Sequence, residues 1–251
     1  MDSLTIRNGI LIVPLTAVLI AGIFTLHTIS AGQGSSSPEI PAIDQIKYEE
    51  VETATFALGC FWGPDALFGA TPGVIRTRVG YAGGVIDNPT YENLGDHTET
   101  IQLDYNPNEI SYGQLLNIFW SNHNPVGRLF SRQYRPVVFY HNDQQRELAE
   151  ESKERIGKQH ERKIVTVITK LDKFHVAEDY HQKYRLRNTQ YYLERYKSIY
   201  PDPENFRDST ATARVNGYLA GYGTLNQLKA ELDSLSLTPE QQQRLLNTYQ
   251  R

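Results

Sequence analysis

Residues 53–81 read TATFALGCFWGPDALFGATPGVIRTRVGY, and the order of elements in this stretch decides the fold. The apolar, β-prone run 53–58 predicts a strand. A helix follows over about 61–69, stopped by Pro72 and Gly73, and a second strand is predicted over 74–81. The only cysteine of the chain, Cys60, stands at the first junction between glycines Gly59 and Gly63 and beside Phe61 and Trp62. A cysteine that leaves a strand and opens a helix meets unpaired backbone N–H groups and the positive end of the helix dipole, which favour a thiolate. A lone cysteine is more often a small, inert buried residue. The flanking glycines, the aromatics and the junction reverse that preference here and point to a nucleophile that no second thiol can assist.

Working outward, a turn at 82–84 and a loop through Asn88, Pro89 and Tyr91 lead to 99–105. There Ile101 and Leu103 alternate with Gln102 and Asp104, predicting a half-buried strand. Ser111 caps a helix carrying Leu115, Leu116, Phe119 and Trp120 at helical spacing, which ends before Asn124 and Pro125. Further elements are a strand at 136–140, a charged amphipathic helix at 143–158 and a strand at 164–168. Beyond Asp172 the chain reads as helical and tyrosine-rich, and 225–249 as a helical hairpin whose last helix opens at Pro239. This order suits an α+β sandwich.

From Asn8 to Pro38 there is no charged residue, and 9–29 is almost continuously apolar, long enough to cross a bilayer. A cleaved signal with its small-residue boundary near Ser30, Ala31 and Gly32 is the rival, and length favours an uncleaved transmembrane anchor. Arg7 before the span and Glu39, Glu49 and Glu50 after it put the body of a single-pass membrane protein on the non-cytoplasmic side, or outside the cell if the signal is removed. The expected organisation is an anchor or signal at 1–31, a flexible linker at 32–46, a catalytic domain at 47–200 and a helical C-terminal extension at 201–251. The linker reading rests on glycine, serine and proline at 32–41. A net charge of -4 with interleaved basic residues argues against a nucleic-acid partner. Several of the 16 tyrosines lie in glycine- and proline-rich segments such as 80–91, which suits an apolar pocket that also donates hydrogen bonds.

The run Gly59-Cys60-Phe61-Trp62-Gly63 resembles the signature of the peptide methionine sulfoxide reductase A family. The resemblance continues in order through Gly80-Tyr81-Ala82-Gly83-Gly84, Asn88-Pro89-Thr90-Tyr91, His97-Thr98-Glu99, Tyr105-Asn106-Pro107, Phe119-Trp120, Asn122-His123, Gln133-Tyr134-Arg135 and Ala177-Glu178-Asp179-Tyr180-His181. It implies a two-layer α/β plait with a ferredoxin-like core. It also implies thiol-dependent reduction of methionine S-sulfoxide, free or in proteins, a form of oxidative damage repair. In that role Cys60 attacks the sulfoxide sulfur and becomes a sulfenic acid. Glu99 relays the thiol proton and donates to the sulfoxide oxygen, which needs a carboxyl pKa raised by desolvation. Tyr91 and Tyr134 hold that oxygen, and Phe61 and Trp62 cradle the substrate methyl group. His97, His123 and His181 are expected to be structural; no spacing suggests a metal site, and no cofactor is expected.

Two departures follow. Many relatives carry an aspartate in the loop that here spans 124–132, which has no acidic residue, so its orienting task falls to Ser131, Asn124 or water. The glycine-rich segment 217–223 lacks the recycling cysteine of many relatives, so an external thiol reductant, thioredoxin or glutaredoxin with glutathione, is expected to restore Cys60. Competing readings are a thiol peroxidase, for which no arginine is evident beside Cys60, and a non-catalytic module that binds oxidised methionine or docks a partner.

Overall fold

Residues 39–127, 131–160 and 163–249 are described by the structure, a computed structural model. Its first half alternates strand and helix as the sequence predicts: β1 (Glu52–Ala57), α1 (Trp62–Gly69), β2 (Val74–Ala82), β3 (Thr98–Tyr105), α2 (Tyr112–Ser121), β4 (Val137–Tyr140) and α3 (Asp143–His160). β5 (Val167–Lys170) and β6 (Phe174–Val176) complete a six-stranded sheet in the order β5-β4-β1-β3-β2-β6, with only β4 and β5 parallel. Phe56 of β1 stacks on Phe68 of α1 and on Tyr112 and Phe119 of α2, so both helices cover one face of the sheet. On β3 the side chains of Ile101, Leu103 and Tyr105 belong to that core. Period-two alternation gives Glu99 the same face.

Three expectations need correction. β3 is buried on both faces, not half buried, because Arg76 and Arg78 of β2 lie over Asp104 and Gln102 and neutralise the polar side. The strand expected at 164–168 begins at Val167 instead: the Val165 N–H is drawn to Pro125 O, and Ile164 packs on the main core before pairing with β4 starts. Directly after Asp172 the chain is not helical but forms the edge strand β6. It approaches β2 so closely that a Cβ on Gly80 would lie 2.3 Å from His175 O.

The C-terminal part is helical: α4 (Tyr184–Arg187), α5 (Gln190–Ile199), α6 (Pro203–Asp208), α7 (Thr210–Leu219), α8 (Leu225–Glu231) and α9 (Pro239–Thr248). Its own core gathers Tyr196, Phe206, Val215, Tyr218, Leu235 and Leu245. α7 lies directly on α1. A Cβ on Gly217 would sit 2.5 Å from Ala66 O and one on Gly69 2.6 Å from Ala213 O, so the two backbones meet because neither residue has a side chain. Arg214 of α7 reaches across, buried, to Gly69 O and Val74 O.

The stretch 32–46, expected as a flexible linker, is folded near its end. Ala42–Gln45 form a 3₁₀ turn. Asp44 accepts hydrogen bonds from Ser209 Oγ (2.8 Å), Tyr200 OH (2.6 Å) and the Thr210 and Ala211 N–H groups, a carboxylate on the positive end of α7. The expected anchor or signal at 1–31 lies outside the described residues. Among the described residues no helix is long and apolar enough to cross a membrane.

Candidate active site

Gly59, with φ +99°, turns the chain out of β1 in a conformation that L side chains rarely adopt, and Cys60 emerges exposed just before α1. Glu99 begins β3 on the helix-covered face and is 1% exposed. Its Oε2 accepts from the Phe61 N–H at 3.0 Å and its Oε1 from Gln133 Nε2 at 2.7 Å, while its own N–H donates to Gln133 O. Burial pushes the Glu99 carboxyl above its ordinary range, against the opposing pull of Phe61, Gln133 and the Cys60 thiol.

The Cys60 thiol is also pushed up, first by burial and then by the charge and hydrogen bonding of the Glu99 carboxylate. The Trp62 N–H and the Arg185 charge pull the other way. The expected helix-terminus effect is therefore present but outweighed, and the resting group is a thiol beside a carboxylate. A proton held between two such groups suits relay better than a free thiolate would.

Tyr134 and Tyr91 are both exposed at the mouth of this site. The Tyr134 phenol is pushed up to about 12 by burial and by the nearness of Glu99, Tyr91 and Cys60, so all four groups converge and Tyr134 stays a donor at neutral pH. Tyr91 is held by its backbone, whose N–H donates to Glu178 Oε1 at 2.9 Å, and Glu178 Oε2 takes the Tyr81 OH at 2.8 Å. Burial works against a charged Glu178, but these hydrogen bonds outweigh it and keep the carboxyl below its ordinary range.

The two aromatics after Cys60 part company. Phe61 is 1% exposed and packs in the core against Tyr81 and His181, meeting Glu99 through its backbone. Trp62 is half-buried, stacked on Tyr184 at 3.6 Å and 8°, with Nε1–H donating to His181 Nδ1 at 3.2 Å. Below it lies a buried ion pair: Lys183 Nζ and N–H both meet Asp65 of α1, Thr77 Oγ1 donates to the same carboxylate at 2.6 Å, and Asn216 of α7 completes the set at 3.4 Å. Lys183 holds this pair at φ +54°. The C-terminal helices thus brace the turn that carries His181 and Tyr184.

Asn124 and Ser131, offered as stand-ins for the absent aspartate, are spent on their own loop. Asn124 Oδ1 takes the Val126 N–H and Ser131 Oγ the Gln133 N–H, the latter steadying the residue that meets Glu99. Residues 128–130 of that loop lie outside the described residues. His97 bonds the Gly84 N–H and Ile86 O, and His123 bonds Phe119 O and Thr166, both as structural residues. Segment 217–223 is not a free arm: it closes α7 and turns at Gly221 and Gly223. Sequence reasoning missed Gln133, Glu178 and Tyr184 as site supports. Gln133 and Glu178 sit inside quoted motifs, but their partners Glu99 and Tyr91 lie 34 and 87 positions away, a pairing that only the folded chain makes.

The family model for peptide methionine sulfoxide reductase matches residues 52–213, and that for the helical domain of selenoprotein methionine sulfoxide reductase A matches 202–246. A peptide methionine sulfoxide reductase of Drosophila melanogaster is 44% identical over 193 residues, 76% of this chain and 77% of the relative. Peptide methionine sulfoxide reductase A5 of Oryza sativa subsp. japonica is 38% identical over 194 residues, 74% and 76% of the two chains. Among solved structures, reduced Mxr1 from Saccharomyces cerevisiae superposes with a TM-score of 0.53 at 30% identity, covering 58% of this chain and 91% of that one. Methionine sulfoxide reductase A of Corynebacterium diphtheriae gives 0.50 at 28%, covering 61% and 82%.

Proposed function

The chain belongs to the peptide methionine sulfoxide reductase family, and from that premise we propose that it reduces methionine S-sulfoxide, free or in proteins, through a Cys60 sulfenic acid. The observation that carries this reading is the buried Glu99, with its raised carboxyl pKa, beside the thiol of the only cysteine. The thiol proton passes to Glu99 as sulfur attacks the sulfoxide, and Glu99 returns it to the oxygen as the S–O bond breaks. Cys60–SH and methionine sulfoxide become Cys60–SOH and methionine, so the oxygen and two electrons change sulfur and no proton is lost. Tyr91 and Tyr134 donate to that oxygen as charge gathers on it. Trp62, backed by Tyr184, forms the wall for the methyl group.

With no second cysteine, two external thiols must reduce the sulfenic acid to thiol, water and their own disulfide; thioredoxin, or glutathione with glutaredoxin, has that chemistry. Treating the reduced chain with the S epimer and then with dimedone is expected to give about one adduct per chain, on Cys60. Either reductant, added first, is expected to abolish it. No adduct after substrate turnover would contradict the sulfenic acid route.

A further inference from the structure

We propose that Arg132 and Asp96 are positioning residues that lock the segment carrying Tyr134 onto the start of β3, where Glu99 stands, and so take over the orienting task for which 124–132 holds no acidic residue. The inference deepens the proposed reduction and rests on the reading of Tyr134 as a donor to the sulfoxide oxygen. Residues 132–135 and 96–99 are laced together. Arg132 Nε–H donates to Asp96 O at 2.8 Å and its Nη2 to Asp96 Oδ2 at 3.1 Å. Thr98 Oγ1 donates to Arg132 O at 3.0 Å and accepts from Arg135 Nε at 2.8 Å. The Glu99 N–H, which meets Gln133 O at 2.8 Å, is the last stitch. Tyr134 therefore stands between residues that are each tied to the lead-in of β3.

Asp96 is itself seated. Its Oδ1 accepts the Val85 N–H at 2.8 Å, and a Cβ on Gly84 would lie 2.6 Å from that oxygen, so one carboxylate joins the turn after β2 to the tyrosine segment. The Val85 N–H and the Arg132 charge hold the Asp96 carboxyl below its ordinary range against the opposing effect of burial. The two side chains are 54% and 31% exposed, and an ion pair this open to water adds little to folding stability. What it supplies is geometry. A planar guanidinium that meets the carbonyl and the carboxylate of one residue fixes distance and angle together, and a phenol displaced by about 1 Å from the oxygen it serves loses much of its effect on rate.

The test compares the full chain with Arg132→Met, Arg132→Lys, Asp96→Asn and the double variant Arg132→Met with Asp96→Asn. Because the bonds of Thr98, Arg135 and Gln133 remain, Arg132→Met is expected to slow the first turnover of a saturating sulfoxide peptide about 3–10-fold, the worth of one hydrogen bond. The half-saturating concentration and the urea midpoint should stay nearly native, since Tyr134 acts on charge that gathers only in the transition state. Arg132→Lys, which still reaches the carboxylate, should recover part of the rate, and the double variant should be no slower than Arg132→Met. Hydrogen exchange at the Glu99 amide reads the lacing without catalysis and should quicken in Arg132→Met. A native first-turnover rate or native Glu99 exchange in Arg132→Met would overturn the inference, as would losses that add in the double variant, or a fall in the urea midpoint that accounts for the lost rate. Should the native chain form no methionine, the reduction reading fails, and amide exchange still decides whether Arg132 holds the segment.

Discussion

Glu99→Gln is expected to slow the first turnover about 10²–10⁴-fold, the usual worth of a positioned general acid. The amide has nearly the shape of the carboxyl group and can still accept from Phe61 N–H or Gln133 Nε2, so the fold should survive. What it loses is the proton. Burial raises the Glu99 pKa, so the acid form persists closer to neutrality than for an ordinary glutamate. Because the carboxylate must first take the Cys60 proton before returning it to the oxygen, the native first-turnover rate should rise as pH rises through that raised pKa, and the Gln variant should lack this limb. Rapid-quench counting of methionine against pH measures both effects. A variant within about threefold of native would remove Glu99 from proton transfer.

The second large effect concerns stability. Lys183→Met is expected to cost about 3–5 kcal/mol, because it leaves Asp65 charged and buried with its cation gone. Lys183 and Asp65 are both 0% exposed, their atoms 3.1 Å apart, and water cannot replace the missing partner. Adding Asp65→Asn to Lys183→Met removes the stranded charge while retaining an acceptor for Thr77 Oγ1 and the residue 183 N–H, so the double variant should regain part of the loss. Urea unfolding of the single and double variants reads the coupling. A loss below about 1 kcal/mol for Lys183→Met would show that the pair does not brace the turn between His181 and Tyr184.

Much of the site could be read from the chain because its parts obey short-range rules. Alternation at 99–105 put Ile101 and Leu103 on one face of a strand, at whose start the family resemblance picked out Glu99, and the glycine-flanked strand-to-helix junction marked Cys60. The failures were non-local. The polar face of β3 is buried by arginines from β2, and a three-residue β6 is too short for its period to register. Gly217 was noted only within a glycine-rich segment without a cysteine, whereas its missing side chain lets α7 touch α1. Lys183 stands in a left-handed conformation where the sequence alone suggests no turn, and only the buried Asp65 accounts for it. Position relative to α1 suggested a thiolate at Cys60; burial and the Glu99 carboxylate, brought close by β3, decide for the thiol.

The most direct test is a single-turnover count on the reduced full chain, with Cys60→Ser alongside and each epimer of a methionine sulfoxide peptide supplied without reductant. About one methionine per chain is expected from the S epimer, none from the R epimer and none from Cys60→Ser. Methionine formed equally by Cys60→Ser, or none from either epimer by the native chain, would contradict reduction by Cys60.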